Sequence, residues 1–126
     1  MDGTNFELVE DFMEAMEQDV NVVPTFPEDE IQRLRLDLIE EELDELHYAI
    51  DNKDMVEIAD ALGDLLYVVY GAGHAFGIDL DECFKEIHAS NMSKLGPDGK
   101  PIKREDGKVL KPDTFFPPDL KSILGV

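Results

Sequence analysis

The sequence predicts an all-α, antiparallel four-helix-bundle-like fold with a short C-terminal hairpin and irregular tail, in one domain over residues 1–126. Three observations predict it. Apolar residues recur at helical spacing through residues 5–95, the periodic segments are separated by short turn-forming stretches, and the period is lost in the basic tail, residues 96–126. Short connections between amphipathic helices make sequential neighbours antiparallel.

The first helix covers residues 5–19, where Phe6, Val9, Phe12, Met13 and Met16 share one face, and "NVVPTFP" ends it. Thr25 with Glu28 three positions on, and Pro27 in the first turn, predict the start of a second helix running to about Ile50. Asp51, Asn52 and Lys53 form a turn. A third helix runs from about Asp54 to Phe76, with Gly77 as its stop. Asp79 and Glu82 predict a capping box for a fourth, to about Leu95. Beyond it, "KPIKREDGKVLK" places an Asp-Gly turn between two short extended runs, and "FFPPDLKSIL" predicts a last helical turn.

Composition bounds the function. Thirty acidic residues against eleven basic ones give a formal charge of −19, which argues against nucleic acid or an anionic membrane as the partner. Cations are the natural counterpart. No apolar run reaches the length of a membrane span, the N-terminus is acidic, and the single Cys83 reads as a core thiol, so a cytoplasmic setting is expected.

The stretch "LIEEELDEL" then raises a question, because like charges three or four residues apart on a helix repel. At 100° per residue, Leu36, Ile39, Leu43, Leu46 and Ile50 form one apolar stripe, and Asp37, Glu40, Asp44, His47 and Asp51 a solvated one. Glu41 and Glu45 align instead with Leu34, Leu38 and Ala49, and Glu42 lies between the two apolar stripes. On the third helix, Met55, Ile58, Leu62, Leu65, Leu66, Val69 and Phe76 mark the expected core side. Glu57, Asp60 and Asp64 share the opposite side, whose line continues through Val68, Gly71 and Ala75. Two acid stripes thus face protein, where unpaired charges are costly. Divalent cations resolve the contradiction, and all-oxygen ligands favour Mg²⁺, with Mn²⁺ as a substitute, which points to phosphate chemistry. An EF-hand fails because Val56 stands where that loop needs Gly, and a di-iron site fails because Asp44 and His47 lie on the solvated face.

Glu41-Glu42-Leu43-Asp44-Glu45 matches an EExxE motif and Glu57-Ile58-Ala59-Asp60 an ExxD motif. With "ALGDLLYVVYG" and the tail from "HASNMSKLGPDG" onward, they resemble the MazG-like all-α nucleoside triphosphate pyrophosphohydrolases, in the short branch related to dimeric dUTPases and phosphoribosyl-ATP pyrophosphohydrolases. The resemblance covers residues from about 28 to the end. It implies a hydrolase that cleaves between the α and β phosphates of a nucleoside triphosphate with Mg²⁺, releasing a monophosphate and pyrophosphate in nucleotide-pool control. Aligning on "LLYVVYG" instead puts that ExxD over Ala61-Leu62-Gly63-Asp64, with Ala61 in the place of Glu; Asp60 and Asp64 then supply equivalent ligands and Glu57 supports them.

Under this resemblance Glu41, Glu45 and Asp64 are the main metal ligands, and Glu42 either binds a second ion or orients the attacking water. Glu42 and Glu45 are therefore the catalytic candidates, and Glu41, Glu42, Glu45, Glu57, Asp60 and Asp64 the metal set. Asn91 is placed near the nucleotide and Lys94 near its phosphates. Lys100 and Arg104, among the tail's basic residues, hold the leaving pyrophosphate or pair with the acidic helices. Tyr67, near the acid stripe, stacks on a base or packs. Two apolar sides on each of the second and third helices predict a homodimer or homotetramer, because one small chain cannot cover both. Two other readings remain: a phosphoribosyl-ATP pyrophosphohydrolase-like enzyme, and a non-catalytic acidic interaction module.

Overall fold

A computed structural model describes residues 3–126 of the chain. The chain divides into two compact units, one ending at Leu80 and one beginning at Asp81. The fold is all-α: the main helices are α1 (Asn5–Ala15), α2 (Asp29–Asp51), α3 (Met55–Phe76) and α4 (Leu80–Met92). Among the described residues no helix is long and apolar enough to cross a membrane.

In the first unit, α1 starts at a capping box in which the Thr4 hydroxyl accepts from the Glu7 amide and the Glu7 carboxylate accepts from the Thr4 amide. It is shorter than its apolar period predicts and ends at Ala15, with Met16 as C-cap. Helix α2 starts at Glu28 without a side-chain cap. The box expected from Thr25 does not form, because α2 begins at Asp29, three residues too late for Thr25 to be its N-cap; the Thr25 hydroxyl donates to the Val23 carbonyl. Asp54 caps α3 through the Glu57 amide, and Gly77 stops it in the left-handed conformation, as the residue chemistry predicts.

α2 and α3 form an antiparallel hairpin about the turn at Asn52-Lys53, and its seam is built from small residues. Ala49, Ala61, Gly71 and Ala75 are buried, so the two backbones approach closely. The α3 stripe expected as core and the Leu36–Ile50 stripe of α2 lie partly outside it: Leu36 is 56% exposed, Ile50 53%, Leu62 48% and Leu66 53%. Periodicity locates a stripe without saying what covers it. On α3 the covered side is the one that continues the acid line, through Val68, Gly71 and Ala75. Val9 and Met13 of α1 complete the core, and His74, 2% exposed, stacks on Phe6 at 3.7 Å and donates Nε2–H to the Phe6 carbonyl at 2.7 Å.

In the second unit, α4 ends at Met92, three residues short of Leu95, and Cys83 and Ser90 are buried. The Ser90 hydroxyl donates to the Phe116 carbonyl and the Asp119 amide to the Glu86 carboxylate, tying α4 to the tail. The tail carries the predicted hairpin: β1 (Ile102–Lys103) pairs antiparallel with β2 (Val109–Leu110), and Gly107 takes a positive φ of 88° in its Asp-Gly turn. A last helix, α5 (Leu120–Leu124), starts at Asp119.

Candidate metal centre

Glu45 and Glu42 lie about two and three helical turns before the turn at Asn52-Lys53, and Asp64 about three turns after it. Glu42 and Glu45 lie on adjacent turns of α2, Asp64 reaches them from α3, and one carboxylate oxygen from each lies within 4.8 Å of the others. Asp60 sits one turn along α3 from Asp64. Each of these side chains is held by the hairpin, since the register that faces Glu42 with Asp64 follows from the turn length.

Glu42 is the centre of the cluster. It is half-buried, and its Oε2 is buried with no hydrogen-bond partner. Burial, a hydrogen bond shared with Glu45, and the charges of Glu45, Asp64 and Glu41 push its carboxyl up to about 7. Burial, with the charges of Asp60 and Glu45, also raises Asp64. Carboxylates that disfavour one another's charge and leave an inward oxygen without a partner fit a divalent cation. The donors are all oxygen, matching a hard ion such as Mg²⁺ or Mn²⁺.

The placement refines the expected ligand set. Glu41, expected as a main ligand, is exposed and outside the tight group, while Glu42 lies inside it. Glu57 and Asp60 line a cavity of about 550 Å³ with Glu45, Tyr48 and Ala61. Asp44 lines it as well, so its exposed carboxylate is nearer the site than a purely solvated face implies. Tyr67 packs edge-on against Phe12 at 5.5 Å between ring centres. In the second unit Lys94 donates to the Asn91 side-chain carbonyl at 3.1 Å, Lys100 is exposed, and Arg104 is paired with Asp106 inside the hairpin, so its guanidinium is already engaged.

The sequence reading missed Arg35, which is buried on α2 two turns before Glu42. Flanked by Leu34 and Leu36, it looks like one more solvated charge. The signal was its spacing: Arg35, Glu42 and Ala49 follow one another at seven residues, on one face of the helix.

The sequence profile of phosphoribosyl-ATP pyrophosphohydrolases matches residues 9–91, from α1 to the end of α4. The chain belongs to this family. The phosphoribosyl-ATP pyrophosphohydrolase family lies within the MazG-like all-α nucleoside triphosphate pyrophosphohydrolases, which depend in general on divalent metal. An uncharacterized protein of Acanthamoeba polyphaga mimivirus is 45% identical over 83 residues, covering 63% of this chain and 33% of that protein. The matched stretch thus spans about a third of that relative's length.

Glu42 gives a pH prediction for the metal-free chain. Its folded value of about 7 lies above the ordinary 4.5, so the folded state keeps a proton that the unfolded state releases. That stabilisation is full below about 4.5 and is lost as pH rises through about 7. Glu42→Gln does not titrate there. Its melting temperature in chelator is therefore expected to gain on wild type between pH 4.5 and pH 7 and to hold that lead above; parallel melting curves for the two proteins across this window would contradict the assignment.

Proposed function

We propose that this pyrophosphohydrolase cleaves a nucleoside triphosphate between its α and β phosphates with Mg²⁺ or Mn²⁺, giving a nucleoside monophosphate and pyrophosphate. The observation that supports it most is the convergence of Glu42, Glu45 and Asp64 around an unpartnered buried oxygen. An acidic interaction module would turn its charges outward, and here two of the acids have carboxyls raised by burial first.

Glu45 and Asp64, with Glu42 and Asp60 beside them, would hold the divalent ion, and Glu41 and Glu57 flank the group. Such an ion neutralises phosphate charge and makes bound water more acidic. Glu42, within the same group of carboxylates, would take a proton from an attacking water. The water oxygen bonds to phosphorus, the bridging P–O bond breaks, and pyrophosphate leaves. The exposed Leu36, Leu43, Ile50, Leu62 and Leu66 supply the apolar surface of a homo-oligomer.

The family description favours a second substrate reading, phosphoribosyl-ATP. Product analysis tests both. Monophosphate and pyrophosphate are expected from at least one substrate, with activity abolished by excess chelator; orthophosphate and a diphosphate as the products, or full activity in chelator, would refute the proposal.

A further inference from the structure

Arg35 is 8% exposed, yet nothing balances it. Its Nη2 donates to the Gln18 side-chain carbonyl at 3.3 Å, its Nε has no acceptor, and among the described residues no carboxylate pairs with it. Burial lowers its pKa, but a guanidinium stays charged at neutral pH. A buried cation with an unused donor is costly unless a partner arrives. Arg35 lines a cavity of about 440 Å³ with Gln32, Leu36, Ile39, Ala72 and Phe76. The exposed Asp29 and Arg33 line the same cavity, and Arg35 is its buried charge.

This cavity is in register with the acids. The pairing that faces Glu42 with Asp64 also sets Arg35 against Gly71, seven residues along each helix. Seven residues advance about 10 Å along the axis and return to nearly the same face. A ligand with phosphate at the acids and its other end at Arg35 therefore follows the α2–α3 seam. The walls at that end are hydrocarbon and an aromatic ring, which suit a flat heterocycle and not a hydrated phosphate.

Building on the nucleotide-hydrolysing reading above, we infer that the Arg35 cavity receives the base of the nucleotide, with the buried guanidinium, which no carboxylate neutralises among the described residues, selecting bases whose edge offers keto oxygen acceptors. Guanine presents O6 and N7 to a guanidinium fork, and uracil or thymine presents a carbonyl. The exocyclic amines of adenine and cytosine set donor against donor there. Gly71 positions the fork: a Cβ at residue 71 would lie 2.6 Å from Arg35 Nη1 and displace it.

The test is calorimetric binding, with Mg²⁺, of α,β-methylene analogues of the guanine, uracil, adenine and cytosine nucleoside triphosphates, and of inorganic triphosphate. Wild type is expected to bind keto analogues about tenfold or more tighter than amino ones. Arg35→Lys, which keeps charge but not the fork, and Gly71→Ala, which keeps Arg35 but moves it, should bring the ratio within about threefold and leave inorganic triphosphate binding unchanged. The wild-type ranking requires no variant to fold. Equal binding of keto and amino bases, or an unchanged ratio in folded variants, would overturn the inference, as would inorganic triphosphate weakening as much as the keto analogues. Absence of hydrolysis across the natural triphosphates, with the keto ranking intact, would remove the reaction and leave the pocket; hydrolysis without ranking would do the reverse.

Discussion

Glu45→Gln is expected to lower metal-supported turnover by about a hundredfold or more, while replacing Glu40 by Gln and Asp44 by Asn together leaves it within a few-fold. All three acids stand within two turns of α2 and all are exposed, so charge count alone would rank them equally. Geometry separates them. Glu45 places an oxygen within 4.8 Å of oxygens from Glu42 and Asp64, whereas Glu40 and Asp44 are outside that group. The amide of Gln preserves size but removes a charged ligand. It also relieves repulsion on Glu42 and Asp64, both raised in part by Glu45, so the metal-free variant should melt no lower than wild type. Mg²⁺ should raise the wild-type melting temperature, as any ligand bound only to the folded state does, and Glu45→Gln should blunt that rise. Asp44 makes the comparison demanding because it lines the same cavity as Glu45. Equal losses in both proteins would show that the cluster has been drawn around the wrong oxygens.

Gly77→Ala is expected to cost about 3 kcal/mol or more of stability. Gly77 closes α3 at φ 68°, where an added Cβ is disfavoured by about 1–2 kcal/mol. That Cβ would also overlap the Val23 carbonyl oxygen. The segment carrying Val23 satisfies the end of α3: the Asn21 amide donates to His74, the Asn21 side chain to Ala75 and the Thr25 amide to Phe76, all between 2.7 and 2.9 Å. Pushing the segment away leaves those terminal carbonyls without their donors. Gly99→Ala is the control, since Gly99 has φ 76° with nothing near the added carbon. Thermal melting should show a clearly smaller loss there, of about 1–2 kcal/mol; equal losses at the two positions would remove the overlap from the explanation.

Features set by neighbouring residues were legible in the sequence. The Asp54 cap, the Gly77 stop and the Asp-Gly turn each depend on chemistry within a few positions, and each forms. Thr25 failed because the helix begins later than its cap signal, at Asp29 with Glu28 as N-cap. Leu62 and Leu66 of α3, expected as core, are exposed for another reason: apolar spacing records which residues share a face, while cover depends on what packs there. The acids were legible as a set because they continue into Gly71 and Ala75. Their ranking was not. That Glu42 and not Glu41 lies within 4.8 Å of Glu45 and Asp64 depends on the rotation of α2 about its axis.

The α2–α3 hairpin acts as a ruler folded at Lys53, which itself takes a positive φ of 52°. Every position on one arm is matched to a position on the other, so Glu42 with Asp64 and Arg35 with Gly71 are two marks on one scale. Inserting or deleting a residue at the fold would move both marks together, turning α3 by about 100° against α2. The spacing between the two ends of the seam is therefore fixed by helical rise, and changes in what this chain accepts must come from exchanging side chains at the marks, not from altering the length between them.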